Sequence, residues 1–231
     1  MDFRLAVFDM AGTTVAEGGA VYEALRHTLQ EHGVEVGTDS IHQVKGTDKL
    51  EALRLLIGQS PSATKLLPQL TAIHQSFLDR LTRFYAVDSA VTEFPRTSET
   101  FSWLRARGIK VALNTGFSHQ IARLLIDRLG WESSGLIDTA ISSDEVQRGR
   151  PYPFMIASLM DRLGISEPET VIKIGDAPAD LLEGYNAGCG LVVGVLGGSS
   201  TREQLEIHPH HYLIDSVADL PALLTNLGQA G

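Results

Sequence analysis

The 231-residue chain has a single cysteine, Cys189, so no intramolecular disulfide can form. That excludes a disulfide-stapled secreted scaffold and leads us to expect a reducing compartment. Positive charge is also scarce: 19 lysines and arginines face 28 acidic residues, for a net charge of −9. A nucleic-acid or acidic-membrane partner is therefore not expected, because phosphate-rich surfaces select basic ones. No apolar run approaches the ~20 residues that span a bilayer. The opening MDFRLAVFD is too acidic, and its apolar run too short, for a secretory leader. There is no internal repeat and no low-complexity tract. The expectation left is a cytoplasmic protein, 43% apolar, forming one large domain or one domain with an insertion.

Helical patterning fills Ala20 to Tyr85. VYEALRHTLQEHG stops on Gly33, and DKLEALRLLIGQ and TKLLPQLTAIHQSFLDRLTRFY repeat apolar residues at helical spacing. Pro68 should break or kink the last of these. From Phe94 the rhythm changes, and helices alternate with the short apolar runs KVALN, DTAIS, TVIKIG and LVVGV. Strands alternating with helices indicate βαβ units and a doubly wound, Rossmann-like parallel α/β sheet. The first run, RLAVF, needs parallel neighbours and so belongs with the later strands. Residues 1–15 and 91–231 are then expected to form the α/β core, and residues 16–90 a helical cap inserted over it.

Ligands of open parallel sheets bind beyond the carboxyl ends of the strands. RLAVF runs into Asp9, KVALN into Thr115 and Gly116, and TVIKIG into Asp176 with Asp180 four residues on. QRGRPYP adds Arg148 and Arg150. Crowded carboxylates repel unless a cation lies among them, and oxygen ligands of this kind suit Mg²⁺. Thr115 and the backbone at Gly116 offer donors to an anion, and Arg150 can balance phosphoryl charge. Together these parts suit phosphoryl transfer with Asp9 as the nucleophile. Each has a plainer reading alone: Asp9 as a turn residue, Asp180 as a helix-dipole partner, Arg150 as a solvated charge.

FDMAGTTV, LNTG, GRPYP and GDAPAD, in this order, resemble the four motifs of the haloacid dehalogenase superfamily, and the likeness covers nearly the whole chain. The resemblance implies Asp9 as nucleophile and, for Mg²⁺, Asp9, the Ala11 carbonyl and Asp176 as ligands with Asp180 in support. It implies Thr115, Gly116 and Arg150 around the phosphoryl group, and a helical cap after the first motif.

Ordinary phosphatases of this superfamily carry an aspartate two residues after the nucleophile, as acid for the leaving oxygen. General acid–base help of that kind is worth ~10²–10⁴ in rate. Ala11 stands there instead, as in the phosphonatase branch, whose namesake activity cleaves the carbon–phosphorus bond of phosphonoacetaldehyde. In that branch a cap lysine forms an imine that accepts the departing electrons. Lys49, three residues after Gly46, has the matching spacing, and Asp48 with Glu51 reads as a capping pair that puts Lys49 in a first helical turn. The positive helix end and Lys45 would favour the neutral amine an imine needs. The chain departs from the branch at Lys45, where methionine is expected, at Ala52 (histidine) and near Gly19 (cysteine). Lys49 is therefore read as a substrate contact to phosphate or carboxylate, with the imine role as the alternative.

The expected activity is Mg²⁺-dependent hydrolysis of a small phosphonate or phosphorylated metabolite through an aspartyl-phosphate. The alternatives are a Lys49 Schiff-base phosphonatase, a phosphatase or phosphomutase of the same fold, and, in another class, a non-catalytic phosphoacceptor. A receiver-type module has no reason to shield its aspartate under a cap, which favours an enzyme. HPHHY (His208–Tyr212) is read as a solvated loop, GVLGGSS as a strand-end loop beside the site, and Cys189 as core.

Overall fold

RLAVF, KVALN, TVIKIG and LVVGV form strands whose apolar residues are buried on both faces, the usual condition of a parallel sheet covered by helices, and DTAIS forms a half-buried edge strand. The structure is a computed structural model that describes residues 2–16, 18–44, 47–87 and 91–229. Its strands in chain order are β1 (Leu5–Asp9), β2 (Val15–Ala16), β3 (Thr92–Glu93), β4 (Lys110–Thr115), β5 (Thr139–Ser142), β6 (Val171–Gly175), β7 (Leu191–Val195) and β8 (Tyr212–Ile214). Six of these make one sheet in the order β5-β4-β1-β6-β7-β8, and every pairing in it is parallel. The first strand thus lies between β4 and β6, as its need for parallel neighbours required.

The helices are α1 (Ala20–Glu31), α2 (Thr38–Gln43), α3 (Lys49–Gly58), α4 (Ala63–Leu66), α5 (Leu70–Val87), α6 (Thr97–Arg105), α7 (His119–Leu129), α8 (Phe154–Leu163), α9 (Pro178–Asn186), α10 (Arg202–Glu206) and α11 (Leu220–Gln229). Alternation along β1 assigns its side chains to the two faces. Ala6 and Phe8 enter one core, where Phe8 meets Phe101 edge-on at 5.0 Å and Phe101 meets Trp131 at 5.4 Å. Leu5 and Val7 enter the other with Met155, Leu159 and Leu181.

Helices α1 to α5 occupy the stretch between β1 and β4, and α1 and α3 pack on α5, which in turn packs on α7. Pro68 falls in a 3₁₀ turn, Leu67–Gln69, that separates α4 from α5, because proline supplies no donor for a continued α-helix. The short antiparallel pair β2–β3 joins Val15 to Glu93 and Ala16 to Thr92, on either side of the helical stretch. This pair is invisible in the sequence, since two-residue strands carry no periodicity. Among the described residues no helix is long and apolar enough to cross a membrane.

Candidate active site

Asp9 is the last residue of β1, level with Asn114 of β4, and only 5% exposed. The turn after it is tight: the amides of Thr13, Thr14 and Val15 all donate to the Met10 carbonyl. Its two hydroxyls have separate tasks. Thr14 Oγ1 donates to the Asp9 carbonyl at 2.8 Å and fixes the strand end, while Thr13 Oγ1 donates to Asp176 Oδ1 at 2.9 Å. Gly12 has φ +92°, and a Cβ there would lie 2.4 Å from Asp176 Oδ2, so only glycine lets the turn approach that carboxylate.

Asp176 follows β6, and Asp180 sits in the first turn of α9; both are buried. Ser199 N donates to Asp176 Oδ2 at 2.6 Å, so the GVLGGSS loop does lie beside the site. A Cβ at Gly198 would come within 2.4 Å of the Asp176 Cβ, which explains why that loop is glycine-rich at this point. Arg150, 5% exposed, joins two of the carboxylates. Its Nη2 donates to Asp9 Oδ1 at 2.7 Å, and its Nη1 donates to Asp180 Oδ1. Thr115 Oγ1 accepts from Phe117 N at 3.2 Å, which leaves the hydroxyl proton for another acceptor.

Beneath these lies a polar layer that sequence reasoning missed. Lys173, wholly buried in β6, donates to Asn114 Oδ1 at 2.7 Å and stands 2.8 Å from Asp180 Oδ1 and 3.4 Å from Glu183 Oε2. Asn114 Nδ2 donates to Glu183 Oε2 at 2.7 Å. The signal available was a lysine in the middle of the apolar run TVIKIG, where only a paired cation can be buried.

The electrostatics of the cluster are unbalanced. Asp9, Asp176, Asp180 and Glu183 face two cations, Arg150 and Lys173, which leaves two negative charges over when all are ionised. Burial pushes Asp9 up to about 7; Arg150 opposes this, and Asp180 and Asp176 add to it. Burial and then Asp180 also raise Asp176, and burial raises Glu183. Burial would raise Asp180 as well, but Arg150 and Lys173 together hold it below the usual carboxylate range. One oxygen from each of Asp9, Asp176 and Asp180 falls within 4.8 Å of the others. An all-oxygen donor set with two surplus negative charges fits a hard divalent cation.

The carboxylates border a cavity of about 30 Å³ that Ala11, Thr115, Gly116, Arg150, Tyr22 and Lys49 also line. Lys49 opens α3 and is 7% exposed; its Nζ donates to the Thr47 carbonyl at 2.9 Å and lies 5.6 Å from the centre of the Tyr22 ring. Asp48 caps α3 by accepting from Glu51 N at 3.0 Å, as the Asp48–Glu51 spacing suggested. Lys45 and Gly46 lie outside the described residues. The eight residues singled out from the sequence thus border one cavity from two sides, the carboxyl-end side of the sheet with its loops and α9, and the start of α3.

Outside this cavity the remaining motifs are structural. Cys189 is buried and its thiol is pushed up to about 12, chiefly by burial, which suits core packing and not nucleophilic attack. In HPHHY, His211 exchanges bonds with Val192 at the edge of β7, its amide donating to the carbonyl and its Nδ1 accepting from the amide.

The chain is similar to known proteins over most of its length. The sequence model for haloacid dehalogenase-like hydrolases matches residues 3–188. A phosphonoacetaldehyde hydrolase of Bacillus cereus is 30% identical over 208 residues, spanning 87% of this chain and 78% of its own length. One from Lactiplantibacillus plantarum is 28% identical, over 99% of this chain and 98% of its own. Among solved structures, a phosphonoacetaldehyde hydrolase-like protein from Oleispira antarctica superposes with TM-score 0.86 at 26% identity, covering 99% of this chain and 94% of that one. A hydrolase from Pseudomonas syringae, 18% identical, shares the fold with TM-score 0.82 over 96% of this chain and 98% of its own.

Proposed function

The chain belongs to the haloacid dehalogenase-like hydrolases, and on that premise we propose a Mg²⁺-dependent hydrolase that draws the phosphoryl group of a small phosphonate or phosphate ester onto Asp9. The observation that carries this reading is the pairing of Asp9 with Arg150 at 2.7 Å, in a buried cavity where, among the described residues, no cationic side chain pairs with Asp176.

Arg150 engages one oxygen of Asp9, leaving the other to attack phosphorus. The new O–P bond forms as the bond from phosphorus to the leaving group breaks, and the electron pair departs with that group. Asp9, Asp176 and the Ala11 carbonyl would hold Mg²⁺, with Asp180 behind them. Held there, the ion would supply Lewis-acid charge neutralisation to the transferring phosphoryl group. Thr115, with its uncommitted proton, and the Gly116 backbone would donate to phosphoryl oxygens, and Arg150 would balance their charge. Water then attacks phosphorus in the aspartyl-phosphate, releasing phosphate and restoring Asp9. Residues 16–90 act as the cap over this chemistry, and residues 1–15 with 91–231 as the core that performs it.

Ala11 offers no proton to a leaving oxygen, so the favoured leaving groups are those that need none. One observation favours a carbon leaving group: Lys49 is buried in the same cavity as Asp9. In that second reading the Lys49 amine condenses with a substrate aldehyde, releasing water. The C–P electron pair moves into the resulting iminium as an enamine, which is then protonated and hydrolysed. On the first reading Lys49 only contacts a second polar group of the substrate.

A phosphate-release screen over phosphonates and phosphate esters, with and without Mg²⁺, tests the function. Borohydride added with phosphonoacetaldehyde separates the roles of Lys49. A reduced adduct on Lys49, together with an inactive Lys49→Arg variant, establishes the imine. An active Lys49→Arg variant that borohydride does not modify establishes the contact role.

A further inference from the structure

The cavity between Lys49 and Asp9 is small, about 30 Å³, and is bordered by the α3 side as well as the sheet side, so the seating of α3 sets its shape. Alongside it runs a groove of about 610 Å³, with Asp48, Arg54 and His74 on one bank and Ser143, Arg148 and Tyr152 on the other. The two banks meet where Ser143 Oγ donates to Asp48 Oδ2 at 2.8 Å.

Each side of this bond is tied to a catalytic element. Asp48 uses its other oxygen to cap α3, whose first residue is Lys49, so the position of Asp48 fixes where that helix and its lysine begin. Ser143 is 6% exposed, in a turn clamped to the sheet side. Ser142 N donates to Glu145 there, His119 N donates to Asp144, and Arg162 donates to Glu145. Beneath the bond lies Gly149, the residue before Arg150. A Cβ at Gly149 would lie 3.2 Å from the Ser143 Cβ and 3.8 Å from the Asp48 Cβ. The start of α3, the turn after β5 and the loop carrying Arg150 ahead of α8 therefore converge on one hydrogen bond.

We propose that Asp48 and Ser143 are positioning residues whose hydrogen bond docks the start of α3 on the sheet side and so sets Lys49 over Asp9. The inference rests on the functional reading above for the importance of Lys49, but its test does not require activity. Lysines in the intact protein are labelled by reductive methylation and followed residue by residue with peptide mass spectrometry. Lys173, wholly buried in β6, is the internal control for global opening.

Ser143→Ala should raise Lys49 labelling by about five- to tenfold, the equilibrium factor expected of one buried hydrogen bond, and leave Lys173 protected. Asp48→Asn should stay close to the parent protein. Its Oδ1 can still cap α3 and its amide can donate to Ser143 Oγ, whose proton then goes to the Phe117 carbonyl 3.3 Å away. Unchanged Lys49 labelling in Ser143→Ala, or Lys49 and Lys173 rising together in both variants, would overturn the proposal. The expected labelling pattern in a protein that releases phosphate from no substrate would keep the docking role and sink the functional reading. Robust phosphate release with unchanged labelling would do the reverse.

Discussion

At the residue scale the account depends on two choices two positions apart, a carboxylate at position 9 and no carboxylate at position 11. Asp9→Asn should keep the shape and remove the proposed nucleophile, since a carboxamide does not attack phosphorus. Phosphate release should fall to the background of the assay while the circular dichroism spectrum is retained. Ala11→Asp makes the opposite change. If Ala11 marks a leaving group that needs no proton, restoring the acid should raise hydrolysis of simple phosphate monoesters by about a hundredfold, the lower end of what general acid catalysis contributes. A folded Ala11→Asp protein with no gain on any ester would show that the missing acid is not what limits ester cleavage.

Asp9 also gives a pH dependence with a definite sign. Its pKa is raised from 3.8 to about 7, so between those values the folded, metal-free protein holds a proton that the unfolded chain has released. Stability carried by that proton is complete below about pH 4 and is lost as pH rises through 7. Asp176 and Glu183 are shifted in the same direction and Asp180 in the other. Mg²⁺ bound at Asp9 as proposed would compete with that proton and would bind best once it has gone. Thermal melts should show a larger Mg²⁺-induced rise in Tm near pH 8 than near pH 5.5. Equal shifts at both pH values would mean that the cation binds away from Asp9.

At the scale of elements, Lys173 links β4, β6 and α9 through Asn114, Asp180 and Glu183, and through Asp180 it reaches Arg150. Replacing it with methionine removes one of two cations from a buried cluster of four acids. The cost should be about 3–5 kcal/mol in urea unfolding, the range for breaking a buried ion pair from one side. A loss below about 1 kcal/mol would show that the pair contributes little. Most elements were legible because their patterns are local. The apolar runs ending in Asp9, Thr115 and Asp176 are strands, and Pro68 breaks the helical block where its missing donor requires. The β2–β3 pair was not legible, since its strands are two residues each and lie 75 residues or more apart in sequence.

At the scale of the whole molecule, the sheet order brings the four motif-bearing segments to one edge, and the sequence contained that much. It did not contain the layer beneath. Nothing in local patterning pairs Lys173 with Asn114 and Glu183, or Ser143 with Asp48, since such contacts exist only once the chain has folded. Ser199 was nearly legible, as the glycine-rich loop was placed beside the site but its amide was not assigned to Asp176. With a net charge of −9 overall, and two negative charges left over in the cluster even with Arg150 and Lys173 paired there, an anionic substrate would need a divalent cation at the site.

The central claim is that Asp9 takes up the phosphoryl group. The most direct test mixes excess enzyme and Mg²⁺ with phosphonoacetaldehyde, or with the ester that the phosphate-release screen selects, and quenches within the first turnover. Borohydride then reduces any aspartyl-phosphate to homoserine, and the peptide containing residues 5–9 is read by mass spectrometry. The account predicts homoserine at position 9, dependent on Mg²⁺ and absent from Asp9→Asn. Phosphate released at the full rate with Asp9 unmodified, or with homoserine at another aspartate, would contradict it.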